Sequence, residues 1–425
     1  MTSRVFREGE TSSGVMDPNW SRSSRTLRSS SASTTSTFIP TPSTSTSGDT
    51  TFPGLGQLTP PLPTVPSGPL LVTALSPKSW RTEYPRIGQF AMTESDEIIA
   101  AVPRGLLYFK RVNDHVSKPW SEGRLLPNTA MLNDSSVSGV AAILMDSNNP
   151  RLCVYCVSRG TLHSFYRSTK DGSSWVKDSD SPFSQHRISG TPAVASGYAY
   201  NSRRWSLVVP CRSGGLLHTS TKGSSSPSSY YNEIWEPVDH VAKDLGIISS
   251  VSIAAIRRIT GNGRAFVSGR TDIVMVCIAS GQLHTAEGEL SRSSSGYSSS
   301  VEWKARASTR ILHPGEVTGN PTLINDNGKK LDLLVPSAEG GIFHFVRTES
   351  TPDEWHMIAR IAFPEGLPAA SCLAFHSEMS RDYTRRFRAL IQSGGRLYYV
   401  KTTESSKPWS NSYLRPIVSP GPFSG

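Results

Sequence analysis

The stretch Gly319–Phe363, GNPTLINDNGKKLDLLVPSAEGGIFHFVRTESTPDEWHMIARIAF, contains four short apolar segments separated by turn residues. The segments are Thr322–Ile324, Leu331–Val335, Ile342–Arg347 and Trp355–Ile358. Asn, Gly and Pro mark the gaps between them, and short apolar runs with such punctuation are typical of an antiparallel β-meander. The stretch therefore predicts four consecutive β-strands.

The same pattern recurs along the chain. Each copy has a Gly turn, a strand in which Leu or Phe usually precedes His or Tyr, a polar loop and a Trp. The copies end at Trp80, Trp120, Trp175, Trp235, Trp303, Trp355 and Trp409. Most copies also have two apolar segments upstream, so that each unit holds four strands. Such a unit cannot bury its own faces and is expected to stack on its neighbours.

These repeats predict an all-β fold over residues 68–418, a seven-bladed β-propeller of four-stranded antiparallel blades, with six blades as the alternative. The apolar second strands, such as Leu152–Val157, fit a position between two neighbouring blades. The small residues of the first strands, such as Val140–Met145, fit a crowded central axis. One connection, Asp239–Leu245, is expected to form a short helix.

The chain of 425 residues begins with a different kind of sequence. Residues 1–50 are rich in Ser and Thr and poor in apolar side chains, so we expect a disordered tail. Residues 51–67 are Pro-rich and are interpreted as a linker or a degenerate blade. No apolar run is long enough to span a membrane, and the N-terminus lacks a signal-peptide core. We expect a cytoplasmic or non-classically secreted protein, and the oligomeric state is left open.

Charge and cysteine content argue against two classes of function. The formal charge is +10, but Lys and Arg are dispersed, whereas nucleic-acid binding needs a concentrated basic surface. No nucleic-acid partner is therefore predicted. Cys153 and Cys156 form a C-x-x-C pair, but residues three apart in a strand point to opposite faces. The five cysteines are interpreted as buried and reduced, and no metal site or cofactor is predicted.

Two repeated positions are candidate binding positions. The His or Tyr of the third strand is Tyr108, His163, His218, His284, His344 or Tyr398. The structural interpretation is a ring whose polar atom is satisfied by a neighbouring blade, and the functional one is contact with a sugar. Metal binding is disfavoured, because side chains from different blades are spread around a ring and do not converge.

The repeated Trp is the second such position, occupied by Trp120, Trp175, Trp235, Trp303, Trp355 and Trp409. Packing on the adjacent blade is the favoured interpretation. The alternative is a platform for the apolar face of a sugar ring, with hydrogen-bond donors from basic residues at the third-strand ends. These are Arg111, Arg167, Lys222, Arg347 and Lys401. Aromatic faces with charged donors are a common composition for a pocket.

Catalytic motifs are poorly represented. Ser168–Trp175 approaches the Asp-box of sialidase propellers, but its Asp lies one residue too close to the Trp. The sequence shows neither a paired acid and base nor a Gly-rich phosphate loop. We predict a protein that is not an enzyme, with no catalytic residues.

The repeat form NPTLI…LDLLVPSAEGGIFHFVR…W resembles the repeats of fungal and bacterial propeller lectins, most of all the seven-bladed fucose-binding type. It is less similar to the six-bladed fungal fucose-specific lectins. The resemblance implies multivalent binding of glycans or glycoproteins, typically fucosylated ones, in pockets between blades. A propeller scaffold for protein partners is the alternative function, and glycoside hydrolysis is a weaker one.

Overall fold

The computed structural model contains six β-sheets that follow one another along the chain. It describes residues 73–74, 86–112, 120–121, 123–145, 150–169, 174–178, 181–199, 202–221, 235–258, 270–292, 299–303, 309–326, 330–379, 385–401, 409 and 413–416. All of these residues lie in one unit, Val65–Gly425.

Each sheet is a blade, and the blades are numbered in chain order. Blade 1 contains β2 (Phe90–Met92), β3 (Glu97–Val102), β4 (Gly105–Lys110) and β5 (Arg124–Leu125). Blade 2 contains β6 (Val137–Met145), β7 (Arg151–Ser158), β8 (Thr161–Ser168) and β9 (Val176–Asp178). Blade 3 contains β10 (Ala193–Ala199), β11 (Ser202–Pro210), β12 (Leu216–Ser220) and β13 (Asp239–Val241).

The remaining blades repeat this order, with one additional strand in blades 4 and 6. Blade 4 contains β14 (Ile248–Arg258), β15 (Arg270–Ala279), β16 (Gln282–Arg292), β17 (Ser299–Trp303) and β18 (Thr309–Ile311). Blade 5 contains β19 (Thr322–Asp326), β20 (Lys330–Pro336), β21 (Ile342–Thr348) and β22 (Thr351–Ile361). Blade 6 contains β23 (Ala370–Met379), β24 (Arg385–Ser393), β25 (Arg396–Lys401) and β26 (Tyr413–Pro416), with β1 (Thr73–Ala74) at its edge.

The blades close into a ring through six apolar clusters, each formed by two neighbouring blades. Between blades 1 and 2, for example, Ile99 packs in one cluster with Val154. The cluster between blades 6 and 1 joins the end of the ring to its beginning, where Leu390 packs with Ile98 and Phe109. Because each blade buries both faces against neighbours, the second strands are mostly apolar on both faces.

The all-β propeller of four-stranded blades is confirmed, with the six blades that were the alternative to seven. Among the described residues, the copy that ends at Trp80 forms no seventh sheet. The strand described in that copy, β1, pairs in parallel with β26 of blade 6, Thr73 opposite Tyr413. Trp80 itself, the Ser/Thr-rich segment 1–50 and the Pro-rich segment 51–67 lie outside the described residues.

The first strands line a central channel of about 560 Å³ with small residues such as Ala142, Pro192 and Ala255. Small side chains are needed there because six strands converge on one axis. The connection expected to be a helix, Asp239–Leu245, instead contains β13 and a single 3₁₀ turn, Lys243–Leu245. The backbone N–H and C=O groups of β13 form hydrogen bonds with β12. In a helix, the same groups would have formed hydrogen bonds within the segment.

The predicted burial of the cysteines is confirmed. All five cysteines are buried and free, and Cys153 and Cys156 belong to the clusters on opposite sides of blade 2. Burial raises the pKa of the Cys156 thiol to about 12, so the thiol stays protonated at neutral pH. Among the residues that the structure describes, no helix has the length and apolar character needed to cross a membrane.

Phe345→Ala tests how much the apolar clusters between blades contribute to the stability of the propeller. Phe345 is fully buried between blades 4 and 5, so the substitution removes apolar contacts and leaves a cavity. We expect the free energy of unfolding to fall by about 3–5 kcal/mol in urea denaturation. Ile358→Ala, at an exposed position of the same blade, is the control, expected within about 0.5 kcal/mol of the parent protein. Equal effects of the two substitutions would contradict the packing described.

Candidate functional site

The repeated His or Tyr lies in the third strand of every blade, but it does not face the same neighbour in every blade. Tyr108, His218 and His344 face the following blade. Tyr398 packs in the cluster with the preceding blade. By strand alternation, His163 and His284 also face the preceding blade, because Leu162 and Leu283 belong to the clusters with the following one. The expectation that all six residues occupy one equivalent position is wrong.

Turn geometry causes this difference. In blades 2, 4 and 6 the glycine of the repeat is the second residue of a two-residue turn, as at Gly160 between Ser158 and Thr161. In blades 1, 3 and 5 the glycine instead takes part in the pairing, as at Gly341, whose carbonyl accepts from the Ser337 amide. The His or Tyr three places after the glycine is therefore one position further along its strand in blades 1, 3 and 5 than in blades 2, 4 and 6. A shift of one residue turns a strand side chain to the other face of the sheet.

The repeated Trp, in contrast, has one position in all six blades. Each Trp packs in the cluster that its blade shares with the preceding blade. Trp120 and Trp409 are buried, whereas the other four are half-buried, namely Trp175, Trp235, Trp303 and Trp355. The packing interpretation is therefore confirmed, and the half-buried indoles keep part of their surface open to a ligand.

The interface between blades 1 and 2 brings predicted site residues together around an acid. Tyr108 donates its hydroxyl hydrogen bond to Glu97 Oε1 at 2.7 Å, and Arg167 Nη2 donates to the same oxygen at 3.1 Å. Arg167 Nη2 also lies 2.9 Å from the Tyr108 hydroxyl oxygen. Burial, followed by the Glu97 contact, raises the pKa of Tyr108 to about 12. The phenol therefore remains a hydrogen-bond donor at any physiological pH.

Two aromatic rings enclose the Arg167 guanidinium in this interface. Its Cζ lies 4.4 Å from the centroid of Tyr108 and 5.3 Å from that of Trp175. The two rings meet edge to face at 5.8 Å. The Arg167 side chain remains 20% exposed and that of Glu97 10% exposed. A charged donor, a charged acceptor and an aromatic face thus meet at a site that solvent reaches.

Arg347, Glu287 and Trp355 form a similar group between blades 4 and 5. Arg347 Nη1 contacts Glu287 Oε1, and the Arg347 Cζ lies 5.8 Å from the centroid of Trp355. The acid here comes from the third strand of blade 4, not from the second strand as Glu97 does.

A third group, between blades 6 and 1, has a different charge composition. Arg111 Nη1 contacts the Tyr399 hydroxyl, and its Cζ lies 4.5 Å from the Tyr399 ring centroid. Asp96 Oδ2 lies 3.6 Å from Arg111 Nη1 and also contacts Arg388 Nη1. Trp120 completes the group, with its ring 5.9 Å from that of Tyr399.

The interface between blades 5 and 6 is closed by a buried hydrogen-bonded chain. Asp332 Oδ1 lies 2.8 Å from His344 Nε2, and Trp409 Nε1–H donates to His344 Nδ1 at 2.9 Å. The three side chains are at most 1% exposed. With Nδ1 as the acceptor, the proton of a neutral His344 ring lies on Nε2 and points to the carboxylate. This predicted position is structural, and a ligand cannot reach it.

In the other two interfaces the repeated Trp packs against a histidine or a tyrosine. Between blades 3 and 4, His218 packs edge-on against Trp303, with ring centroids 5.1 Å apart, and its Nδ1 lies 3.9 Å from Asp239 Oδ2. Between blades 2 and 3, Tyr155 packs against Trp235 at 6.3 Å. Neither group contains the arginine of the repeat's third-strand end.

Sequence reasoning missed the acids and one tyrosine of these groups. Glu97 and Asp332 occupy the same place in the second strand. Each pairs with the third-strand residue two places after Tyr108 or His344. A signal was present, because an acid lies within an otherwise apolar second strand in both EIIAAV and KLDLLVP. Tyr399 was missed because its neighbour Tyr398 matched the spacing from the glycine.

The central channel provides one carboxylate. Among the described residues that line it, the only acidic side chain is Glu94. Glycoside hydrolysis commonly uses two carboxyl groups, and the lining described here supplies one of them. Among the described residues, no three His, Cys, Asp or Glu side chains lie close enough together to hold a metal ion.

The sequence matches neither a protein-family model nor a curated protein. Solved structures match it by fold. The lectin of Aleuria aurantia, as a point mutant in complex with Fucα1-6GlcNAc, aligns over 80% of this chain and 100% of its own, with a TM-score of 0.51 and 12% identity. Another structure of that lectin, described as a six-bladed β-propeller, covers 80% and 98% with a TM-score of 0.50 and 12% identity. The two chains share a fold. At this identity the likeness concerns the architecture, and the predicted resemblance to propeller lectins is confirmed at that level.

Asp332→Ala tests the buried chain between blades 5 and 6. The substitution removes the carboxylate that accepts from the neutral His344 Nε2–H in a fully buried site, so we expect the free energy of unfolding to fall by about 1–3 kcal/mol. Urea denaturation measures it, with Asp353→Ala, at an exposed position of blade 5, as the control. A loss no greater than that of the control would show that the chain does not stabilise the interface.

His218 is expected to weaken the fold in acid. Burial lowers the pKa of His218 below its ordinary value of 6.5, although Asp239 opposes this shift. As pH falls below about 6.5 the unfolded chain therefore binds a proton before the folded chain does, and stability is lost. Between pH 7 and 5, His218→Asn should lose less stability than the parent protein, whereas His186→Asn, an exposed control, should not differ from it. Identical pH slopes for all three proteins would contradict the assignment.

Proposed function

We propose that this chain is a non-enzymatic carbohydrate-binding protein of the lectin kind, with binding sites between blades. The observation that carries the proposal is the group formed by Glu97, Tyr108, Arg167 and Trp175, which combines a charged donor, a charged acceptor and an aromatic face. Sugar hydroxyls both donate and accept hydrogen bonds, and the C–H face of a sugar ring is apolar. Such a group matches both properties of a sugar.

The proposal includes several sites on one chain. Arginine, carboxylate and tryptophan recur between blades 4 and 5 as Arg347, Glu287 and Trp355, and between blades 6 and 1 as Arg111, Asp96 and Trp120. The buried chain between blades 5 and 6 does not belong to this set. We propose up to three sites, so that a multivalent glycan gains avidity from binding more than one of them.

Fucose is the sugar proposed first. The Aleuria aurantia lectin with the similar fold was solved in complex with Fucα1-6GlcNAc and with α-methyl-L-fucoside. In the present chain, the exposed part of Trp175 offers an apolar surface for the methyl group of a 6-deoxy sugar, and Arg167 and Glu97 offer polar contacts to its hydroxyls. The partners proposed are therefore fucosylated glycans or glycoproteins.

Arg167→Ala tests the site between blades 1 and 2. Loss of a charged hydrogen bond to the ligand should weaken binding at this site about 10–100-fold, measured by isothermal titration calorimetry with α-methyl-L-fucoside. Trp175→Ala should weaken it as well, because the stacking surface is lost. Arg360→Ala, on the outer strand of blade 5 and half-exposed, is the matched control and should bind like the parent protein.

A glycan array on the parent protein tests the function itself. Circular dichroism establishes that each variant retains its β-structure. Binding of at least one glycan, lost or weakened on Arg167→Ala and kept on Arg360→Ala, supports the proposal. A folded parent protein that binds no glycan on the array overturns it, and co-purification of a stoichiometric protein partner insensitive to free sugar would then favour the scaffold function.

A further inference from the structure

One face of the propeller is formed by short turns and by the connections between blades. In an antiparallel blade, the turn between the second and third strands and the connection to the next blade leave the sheet at the same end. Backbone hydrogen bonds join these segments from blade to blade. The Ile188 amide, in the connection from blade 2 to blade 3, donates to the Gly160 carbonyl in the turn of blade 2. The neighbouring Arg187 carbonyl accepts from the Arg212 amide in the turn of blade 3.

We call this surface the turn face. It consists of residues 86–89, 103–104, 126–136, 159–160, 181–192, 211–215, 242–247, 280–281, 312–321, 337–341, 362–369 and 394–395.

Four cations lie together on the turn face at blades 2 and 3. Arg159 and Arg212 are in the turns of these blades, and Arg187 is in the connection between them. Lys243, in the connection to blade 4, lies beside Gly215 of the blade 3 turn. All four basic side chains belong to exposed residues. The fold thus brings together basic residues that are dispersed in the sequence.

This group of cations is not balanced by acids. In the parts of the turn face that contribute the four cations, 159–160, 181–192, 211–215 and 242–247, the only acidic residue described is Asp244. Within the described part of the chain, none of the four cations lies at ion-pair distance from a carboxylate. A surface with such an excess of positive charge attracts a partner with many negative charges.

Exposed apolar side chains lie on the same face. Among the described residues, the large apolar side chains with the greatest exposure are Leu312 at 80%, Ile247 at 71% and Met131 at 63%. Each lies in a connection between blades, and the three connections are different ones. A single exposed apolar residue is ordinary on a protein surface. The location of these three on the face that carries the cations indicates a common partner.

The spacing of the apolar side chains favours a lipid surface over a protein. A protein interface concentrates its apolar contacts in one desolvated centre. Met131, Ile247 and Leu312 come from connections of different blades and do not form one cluster. A bilayer can accept separate apolar side chains at the boundary between headgroups and acyl chains, and its anionic headgroups attract cations beside them.

We infer that the turn face binds the surface of membranes that contain anionic phospholipids. Ile247 and Leu312 insert at the acyl boundary, and the four cations contact the headgroups. The inference does not depend on the proposed carbohydrate-binding function. It is compatible with that function, because Arg167 and Arg347 lie near the ends of their third strands that are opposite to the turn face. The candidate sugar sites therefore remain accessible on a bound protein.

Co-sedimentation of the full chain with lipid vesicles tests the inference. The vesicles consist of phosphatidylcholine alone or of phosphatidylcholine with added phosphatidylserine. Binding should be about 10-fold or more tighter to the anionic vesicles, and it should weaken as salt is raised, because added ions screen the charge. These lipids contain no sugar, so added α-methyl-L-fucoside should not compete. Failure of the proposed carbohydrate-binding function would leave this result unchanged.

A pair of double variants assigns the binding to the turn face. Arg159→Gln combined with Arg212→Gln should weaken binding to anionic vesicles about 10-fold or more, because each cation near an anionic membrane contributes to the affinity. Lys110→Gln combined with Lys177→Gln is the matched control. It removes the same charge from exposed positions outside the turn face, at the far end of β4 and in β9. This control should bind like the parent protein.

Leu312→Ser tests the apolar contribution separately. It should weaken binding about 3-fold or more while leaving the salt dependence unchanged, because an inserted apolar side chain is lost and no charge is altered. Ile358→Ser, at an exposed position of β22, is the control and should bind like the parent protein. Circular dichroism establishes that each variant is folded.

Three outcomes would overturn the inference. The first is a folded parent protein that binds anionic vesicles no more tightly than neutral ones. The second is equal vesicle binding by the two double variants, because the binding would then belong to another part of the chain. The third is binding to polyglutamate or to a DNA duplex without binding to anionic vesicles, which would assign the cations to a different class of partner.

Discussion

Burial of one blade face against the next is the constraint on which the rest of the molecule depends. Each apolar cluster is assembled from two sheets, and the last cluster joins blade 6 to blade 1. A four-stranded sheet of this size has two apolar faces and no means of covering them itself. The ring therefore removes both faces of every blade from water. It also explains why Phe109, Phe343 and Phe345 are fully buried although they belong to sheets only four strands wide.

The blade faces also hold the hydrogen-bonded polar groups. The interfaces differ in whether these groups are fully buried or partly exposed to solvent. Between blades 5 and 6, His344 has a carboxylate on one nitrogen and the Trp409 indole on the other, and the group is sealed. Between blades 1 and 2 the corresponding position holds Tyr108, and Glu97 accepts from both the Tyr108 hydroxyl and Arg167. That arginine reaches the interface edge, where solvent enters. One framework thus provides both a structural bond and a candidate binding group.

The interface between blades 5 and 6 and the interface between blades 6 and 1 show how the side chains of the repeat differ at one position. The second-strand position that faces the next blade holds Glu97 in blade 1, Asp332 in blade 5 and Arg388 in blade 6. The backbone pairing is the same in each case. The charge at this position changes from blade to blade while the backbone pairing does not, so the repeat accepts acidic and basic side chains at this place within one fold.

The sequence by itself determined the β-repeat, the apolar second strands, the small residues around the axis and the position of every described Trp of the repeat, because these depend on patterns that recur with each blade. It also pointed to Tyr108, Arg167 and Trp175 of the candidate site. Tertiary structure alone decided that β1 joins blade 6 rather than a seventh sheet, since that pairing links residues far apart in the chain. It also decided which of the His and Tyr residues share a face and which acid meets which arginine. The physical reason is that strand side chains alternate, so a single residue of difference in a turn reverses the direction of every side chain that follows.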